Sequence, residues 1–171
     1  MILKHPGICQ SAELSPAEFV FSEELAGYCK QNTCGQYGSF WTCPPGAGEV
    51  SELRKKILSY NTAFVFTYCG QLQHGFEPEG WDKARKEAKN ILRELSGRLR
   101  EAGEEYTALG CGSCELCEKC TYPSAPCRRP AEAAVSVEAC GIDVSALAEK
   151  AGLRYNNGEN TVTYFCILIT K

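Results

Sequence analysis

An α+β domain is the fold class that this sequence predicts, and three observations predict it. Apolar residues between Trp81 and Ala102 recur every three or four positions, which marks a long amphipathic helix. Two runs, Ala63–Tyr68 and Thr161–Thr170, are rich in β-branched and aromatic residues and read as strands. The cysteines gather in segments interrupted by Gly and Pro that suit neither period. The expected architecture is a mostly antiparallel sheet of about four strands with two main helices packed on one face. Two cysteine-rich metal-binding loops, 29–45 and 111–130, are expected to project at one end. With 171 residues, 44% of them apolar, the chain suffices for a single domain over 1–171 with its own core.

Each element has a local cause. Glu23–Tyr28 is a short lead into the first cysteine group, Cys29, Cys34 and Cys43, which Pro44 and Pro45 close because proline ends regular structure. Val50, Leu53, Ile57 and Leu58 then sit at helical spacing, and the strand at Ala63–Tyr68 follows. In the long helix Ala84, Ala88, Ile91, Leu92, Leu95, Leu99 and Ala102 form the stripe to be buried, and Gly103 is placed to stop it. The opposite face carries Lys83, Arg85, Lys86, Lys89, Arg93, Arg98 and Arg100 among acids, a pattern of solvated ion pairs. Tyr106–Leu109 is a short strand that delivers the chain to the second cysteine group. Val144–Ala151 reads as a helix capped by Asp143 and stopped by Gly152. Leu153–Tyr155 and Thr161–Thr170 flank Asn156-Asn157-Gly158, a hairpin signal, and the last strand is expected at the centre of its sheet.

Charge and composition narrow the function. A net charge of -3 and a pI near 5.5 leave no basic footprint for nucleic acid. The longest apolar run, Val162 to Ile169, is too short to cross a bilayer, and Met1–Gly7 has no apolar core of signal-peptide length, so a cytoplasmic protein with no membrane partner is expected. Its thiols are then kept reduced, and twelve cysteines suit an anaerobic or strongly reducing host.

The second cysteine group is the most informative segment. Cys111, Cys114, Cys117 and Cys120 follow one another in C-x2-C steps, and Cys127 comes six residues after Cys120. Successive C-x2-C steps turn thiolates onto one small volume, and the bacterial ferredoxin run C-x2-C-x2-C-x3-C-P is the nearest familiar arrangement. Structural zinc sites separate two such knuckles by a dozen or more residues and often include histidine, and here only His5 and His74 are present. [4Fe-4S] clusters are therefore the expected cofactor, with zinc as the alternative.

Cys29-x4-Cys34-x2-Tyr37-Gly38-x4-Cys43-Pro44-Pro45, together with Cys114-x2-Cys117-x2-Cys120-x6-Cys127-Arg128-x-Pro130 and Ser136–Val144, resembles the predicted metal-binding family catalogued as domain of unknown function 2284. The resemblance runs from about Glu18 to Lys171. It implies that Cys29, Cys34, Cys43, Cys114, Cys117, Cys120 and Cys127 are the metal ligands, with Cys111 outside the motif. Four late thiols would complete one [4Fe-4S] site, and three early ones would leave a metal position open; exchange of Cys43 or Cys127 between two clusters is the alternative. Arg128 and Arg129 would offset cluster charge or hold an anionic substrate. Tyr37, Trp41 and Tyr122 would shield a cluster from water.

The remaining candidates have plainer roles. Cys69 and Cys166 are expected in the core, Cys140 is expected to pack, and Cys9 is a bystander. Glu138 and Asp143 read as a surface carboxylate and a cap. Three functions remain open: an iron–sulfur protein passing electrons to a redox partner protein in anaerobic metabolism, an enzyme binding substrate at an open three-cysteine cluster, and a zinc-stabilised interaction module.

Overall fold

The computed structural model describes residues 3–171. Strand β2 (Thr62–Gln71) pairs antiparallel with strand β5 (Thr161–Thr170) along its whole length, Thr62 opposite Thr170 and Gln71 opposite Thr161. Strand β1 (Gln10–Leu14) adds antiparallel to the free side of β2, and β3 (Tyr106–Gly110) adds antiparallel to the free side of β5. A two-residue strand, β4 (Val135–Ser136), joins the end of β3 in parallel. The order is β1-β2-β5-β3-β4, which puts β5 at the centre, as its apolar length predicts. The sheet is therefore mixed and five-stranded, not the mostly antiparallel sheet of about four strands that the sequence suggests. The added strands are β1, which alternates too weakly to stand out, and β4, which is too short to leave a period.

Alternation along the two long strands divides the core in two. Ala63 and Val65 of β2 and Phe165, Ile167 and Ile169 of β5 face one side, where they meet Ile57 of helix α2 (Val50–Leu58) and Leu147 and Ala148 of helix α4 (Val144–Ala151). Phe64, Phe66, Cys166 and Leu168 face the other side and meet Ala88, Ile91, Leu92, Leu95 and Leu99 of helix α3 (Pro78–Glu101). Helices thus cover both faces, which corrects the expectation of two main helices on one. The reason is visible in the strands: β2 and β5 are apolar on both sides, and a strand buried on both faces needs two covers. Helix α3 begins at Pro78 rather than Trp81, since proline suits the first helical turn.

The expected hairpin does not form. Both sides of β5 are taken by β2 and β3, so Leu153–Tyr155 has no edge to pair with, and Leu153 packs into the core beneath α4. The Asn157 amide instead donates to Thr163 Oγ1 and its carbonyl accepts from Gln10 Nε2, which ties the turn to β1. At α4 the sequence reading holds, because the Asp143 carboxylate accepts from the Ala146 N–H and Gly152 ends the helix at φ +65.

The short helix α1 (Glu23–Tyr28) carries the chain to the first cysteine group, and its place is set by an interlock with the segment after the second. The Ser22 N–H donates to Gly141 O at 2.7 Å, the Asp143 N–H donates to Val20 O at 2.9 Å, and Phe21 bridges Ile142. Gly141 is required there: its φ is +71, and a Cβ would come within 2.8 Å of Ser22 O. Among the described residues, no helix is long and apolar enough to cross a membrane.

Leu95 is fully enclosed between α3 and the sheet. Leu95→Ala should lower the unfolding free energy by about 2–5 kcal/mol, read from denaturant midpoints; a change within experimental error would mean that α3 is not part of the cooperative core.

Candidate metal centre

Both cysteine segments leave the regular structure at one end and pack against each other. The early one runs from Cys29 to α2, and the late one spans 111–134, between β3 and β4. Contact between them is specific. The Cys114 N–H donates to Thr42 Oγ1 at 3.2 Å, and Trp41 Nε1 donates to Ala125 O at 3.1 Å. The Trp41 and Tyr122 rings meet edge-on with centroids 4.9 Å apart, an arrangement worth about 0.5–1.5 kcal/mol beyond its buried area. Gly46 lets this happen, since a Cβ there would meet Tyr122 Cε2 at 2.8 Å and Phe40 O at 2.5 Å.

Beneath this clamp, Cys114, Cys117, Cys120 and Cys127 line a single narrow cavity, with Trp41, Arg128 and Arg129 on its walls. All twelve cysteines are free thiols. Among the described residues, no three Cys, His, Asp or Glu side chains converge closely enough to hold one metal ion as they stand. The thiols nevertheless feel one another: burial pushes the Cys114 thiol up, and Cys127, Cys120 and Cys117 raise it further by repulsion between thiolates. Such a donor set, soft sulfur with no imidazole, fits a thiophilic metal or an iron–sulfur cluster.

The early group forms a second set beside the first. Cys43 is buried, and burial, with repulsion from Cys34, Cys29 and Cys114, pushes its thiol up to about 11. Cys29 is raised mainly by burial, with Cys34 and Glu138 adding repulsion. The two sets adjoin where Cys43 meets the field of Cys114.

The arginines fasten the late segment. Arg129 grips Glu132 through Nε at 2.9 Å and Nη2 at 2.5 Å, and its Nη1 donates to Leu116 O at 3.1 Å, while its charge also lies in the field of Cys117 and Cys114. Arg128 donates to Lys119 O at 3.2 Å. Tyr37 lies apart from the late cavity; its N–H donates to Asn32 Oδ1 at 3.0 Å and so closes the turn that carries Cys34.

Thiols outside these sets have partners elsewhere. Cys111 is buried on the α3 side in the same cluster as Cys166; its thiol donates to Arg85 O and that of Cys166 to Ala88 O, each at 3.9 Å. Cys140 is enclosed in the opposite core, and burial holds its thiol at about 12. Cys69 is only half-buried and stands in the field of the exposed Cys9, whose thiol is pushed up mainly by burial and further by Cys69, a neighbour that strand-core logic does not reveal.

Glu138 is the residue that sequence reasoning undervalues. It is exposed, as a surface carboxylate should be, yet crowding by nearby atoms pushes its carboxyl above the usual range, and it stands in the field of Cys29 and Cys140. Its position follows from the interlock of α1 with the Gly141 turn, which no local pattern records. Thr42, the partner of the Cys114 N–H, is likewise silent in sequence.

A fold of this kind, with two adjoining thiol sets held at one end of a mixed sheet, defines a cysteine-rich candidate metal-binding domain. The chain belongs to the family described as predicted metal-binding protein, DUF2284, whose profile matches residues 12–170. No curated protein and no solved structure matches the chain.

Burial sorts the thiols by reactivity in metal-free protein. Cys34 is exposed and should be alkylated first, and Cys140 and Cys166 last, in a timed iodoacetamide reaction at pH 8 read by peptide mass spectrometry. With its thiol at about 11 instead of the ordinary 9.0, Cys43 should hold about a hundredfold less thiolate than an unshifted cysteine and lag accordingly. The same shift sets a pH dependence: above about pH 9 the unfolded chain releases this proton first, so stability should fall as pH rises toward 11. Rapid labelling of Cys43 alongside Cys34 would contradict the placement.

Proposed function

We propose that this protein binds two [4Fe-4S] clusters and transfers electrons to a redox partner protein in anaerobic metabolism. One observation carries the reading: Cys114, Cys117, Cys120 and Cys127 line a common cavity. These four would hold one cluster, and Cys29, Cys34 and Cys43 would supply three ligands to another. A cluster distributes its ligands over several metals, which suits thiols that line a cavity without converging on a point. When bound, the clusters would supply one-electron redox chemistry. The chain's own residues would tune it: Trp41 and Tyr122 keep water off the late set, and Arg128 and Arg129 offset negative charge. The adjacency of Cys43 and Cys114 favours a short route between the two sets.

Two other readings each have an observation in their favour. The late cavity has free volume of only about 20 Å³, room for a single ion, which favours zinc and an interaction module. For the enzyme reading, Cys69, Cys111 and Cys140, the nearest spare thiols in sequence terms, are occupied elsewhere, so the early set has three thiols with the Glu138 carboxyl beside Cys29. That leaves a metal position for substrate.

Anaerobic purification with iron, sulfide and zinc analysis tests the cofactor directly, since zinc proteins are colourless. Cys117→Ser should lose about half of the iron and the matching visible absorbance, whereas Cys166→Ser should retain both because its sulfur lies in the core. Equal retention in the two variants would overturn the ligand assignment.

The electron-transfer and enzyme readings part at the early set. If that set is open, cyanide added to the reduced protein should alter one of two paramagnetic resonance signals, and Cys34→Ser should abolish the response while the other signal persists. Absence of any cyanide effect in the wild-type protein would remove the enzyme reading.

A further inference from the structure

A second hollow, of about 270 Å³, lies between α3 and the beginning of the late cysteine segment. Its volume is just below the usual range of about 300–1,000 Å³ for drug-sized ligands, which suits a smaller molecule. Ser96, on the buried side of α3, lines it. That residue is 6% exposed, and its hydroxyl has no hydrogen-bond partner in the protein. A serine inside a helix ordinarily escapes this cost by donating to the carbonyl one turn back. Buried polar groups are nearly always satisfied, so an orphaned hydroxyl on the wall of a hollow marks a place where something else supplies the partner.

The rest of the wall specifies what that partner is. Leu92, Leu116 and Ala134 make it apolar. Of the basic residues, Lys89 is spent on Ser113 O and Glu115, and Lys86 on Asp82 at 2.7 Å. Arg93 is exposed at the mouth, donates to Asn90 Oδ1 at 2.6 Å and lies in the field of Glu132, a wall carboxylate whose two oxygens Arg129 already holds, so its planar fork keeps open donors. A guanidinium with open donors matches a carboxylate better than any neutral group.

We propose that this hollow binds a small organic acid. Arg93 takes its carboxylate, Leu92, Leu116 and Ala134 enclose a short apolar body, and a hydroxyl or carbonyl oxygen of the ligand accepts from Ser96. Cys114 and Leu116 line both this hollow and the thiol cavity, so the bound acid lies against the wall of the late cysteine set. The site is formed by protein atoms alone and stands whichever metal the thiols hold.

The test uses anaerobically purified protein and four probes, 3-hydroxybutyrate, butyrate, 3-hydroxybutyramide and inorganic phosphate, titrated by ligand-observed NMR. 3-Hydroxybutyrate should bind saturably with a Kd of about 1 mM or tighter. Butyrate, lacking the acceptor for Ser96, should bind several-fold more weakly, and the neutral amide and phosphate should bind least. Arg93→Gln should weaken 3-hydroxybutyrate by about tenfold or more, as expected for loss of a charged hydrogen bond. Ser96→Ala should weaken it several-fold and erase its advantage over butyrate. Because it removes an unsatisfied hydroxyl, Ser96→Ala should also raise the melting temperature, so misfolding does not confound the result. Failure of both acids to bind at about 10 mM, or binding unchanged in both variants, would overturn the proposal. Phosphate binding as tightly as the hydroxy acid would overturn the organic-acid assignment. Metal content measured on the same samples should be unchanged by Arg93→Gln, which separates failure here from failure of the cluster reading.

Discussion

Strand β5 is apolar on both faces, and its ten-residue ladder with β2 is the constraint from which the rest of the molecule follows. Burying Phe165, Ile167 and Ile169 on one side and Cys166 and Leu168 on the other demands a helical layer on each. Helix α3 supplies one layer, and α2 with α4 supplies the other. Once β5 is central, β3 can only take its free edge, antiparallel, and its far end then points the chain into Cys111 and the late segment. The chain returns to pair in parallel through β4. Parallel neighbours need a crossover of a dozen or more residues, usually a helix. Here the cysteine segment occupies that crossover, and it has few apolar residues with which to fix itself. What holds it in the protein is the clamp against the early segment: Thr42 on the Cys114 N–H, Trp41 on Ala125 O, and the Trp41–Tyr122 ring pair.

The parts of the fold that sequence reveals are those whose signal is local. The α3 stripe, the Asp143 cap, the Gly152 stop and the two apolar strands each carry their cause within a few residues. What it conceals depends on partners far along the chain. Strand β1 is a strand because β2 offers an edge, and β4 because β3 does. Gly158 and its asparagines look like a hairpin only while β5 is imagined with a vacant neighbour. The two-faced burial of β2 and β5 is present in their unbroken apolar runs, and it is the feature from which helices on both faces follow.

At the candidate site the legible part is the spacing. C-x2-C steps bring Cys114, Cys117 and Cys120 to one cavity, and Cys127 reaches it despite the longer gap because the chain between Thr121 and Cys127 turns back on itself, Ala125 N–H donating to Thr121 O. Spacing alone could not separate Cys111 from its neighbours. Its exclusion is tertiary: it is the first residue after β3, where the strand's alternation lapses, and its side chain turns to the α3 side with Cys166 rather than to the side that Leu109 faces. Glu138 is hidden for the same reason, since its nearness to Cys29 comes from the interlock of Ser22 with Gly141 rather than from any motif.

The adjacency of the two thiol sets has an electrostatic consequence. Thiols that are buried and close resist ionisation, because each thiolate raises the cost of the next; Cys43 at about 11 registers that cost. Metal ligation requires the thiolates, so a cation entering one set would relieve the repulsion that Cys43 and Cys114 exert on each other. The same cation would fix the late segment, whose hold on Trp41 and Thr42 positions Cys43. If each set takes a metal, loading of either would lower both the charge and the ordering cost of loading its neighbour. Two segments poor in apolar residues, placed at one end of a sheet with its own core, are suited to that coupling, because the sheet fixes where the segments start and end and a metal would tie their interiors.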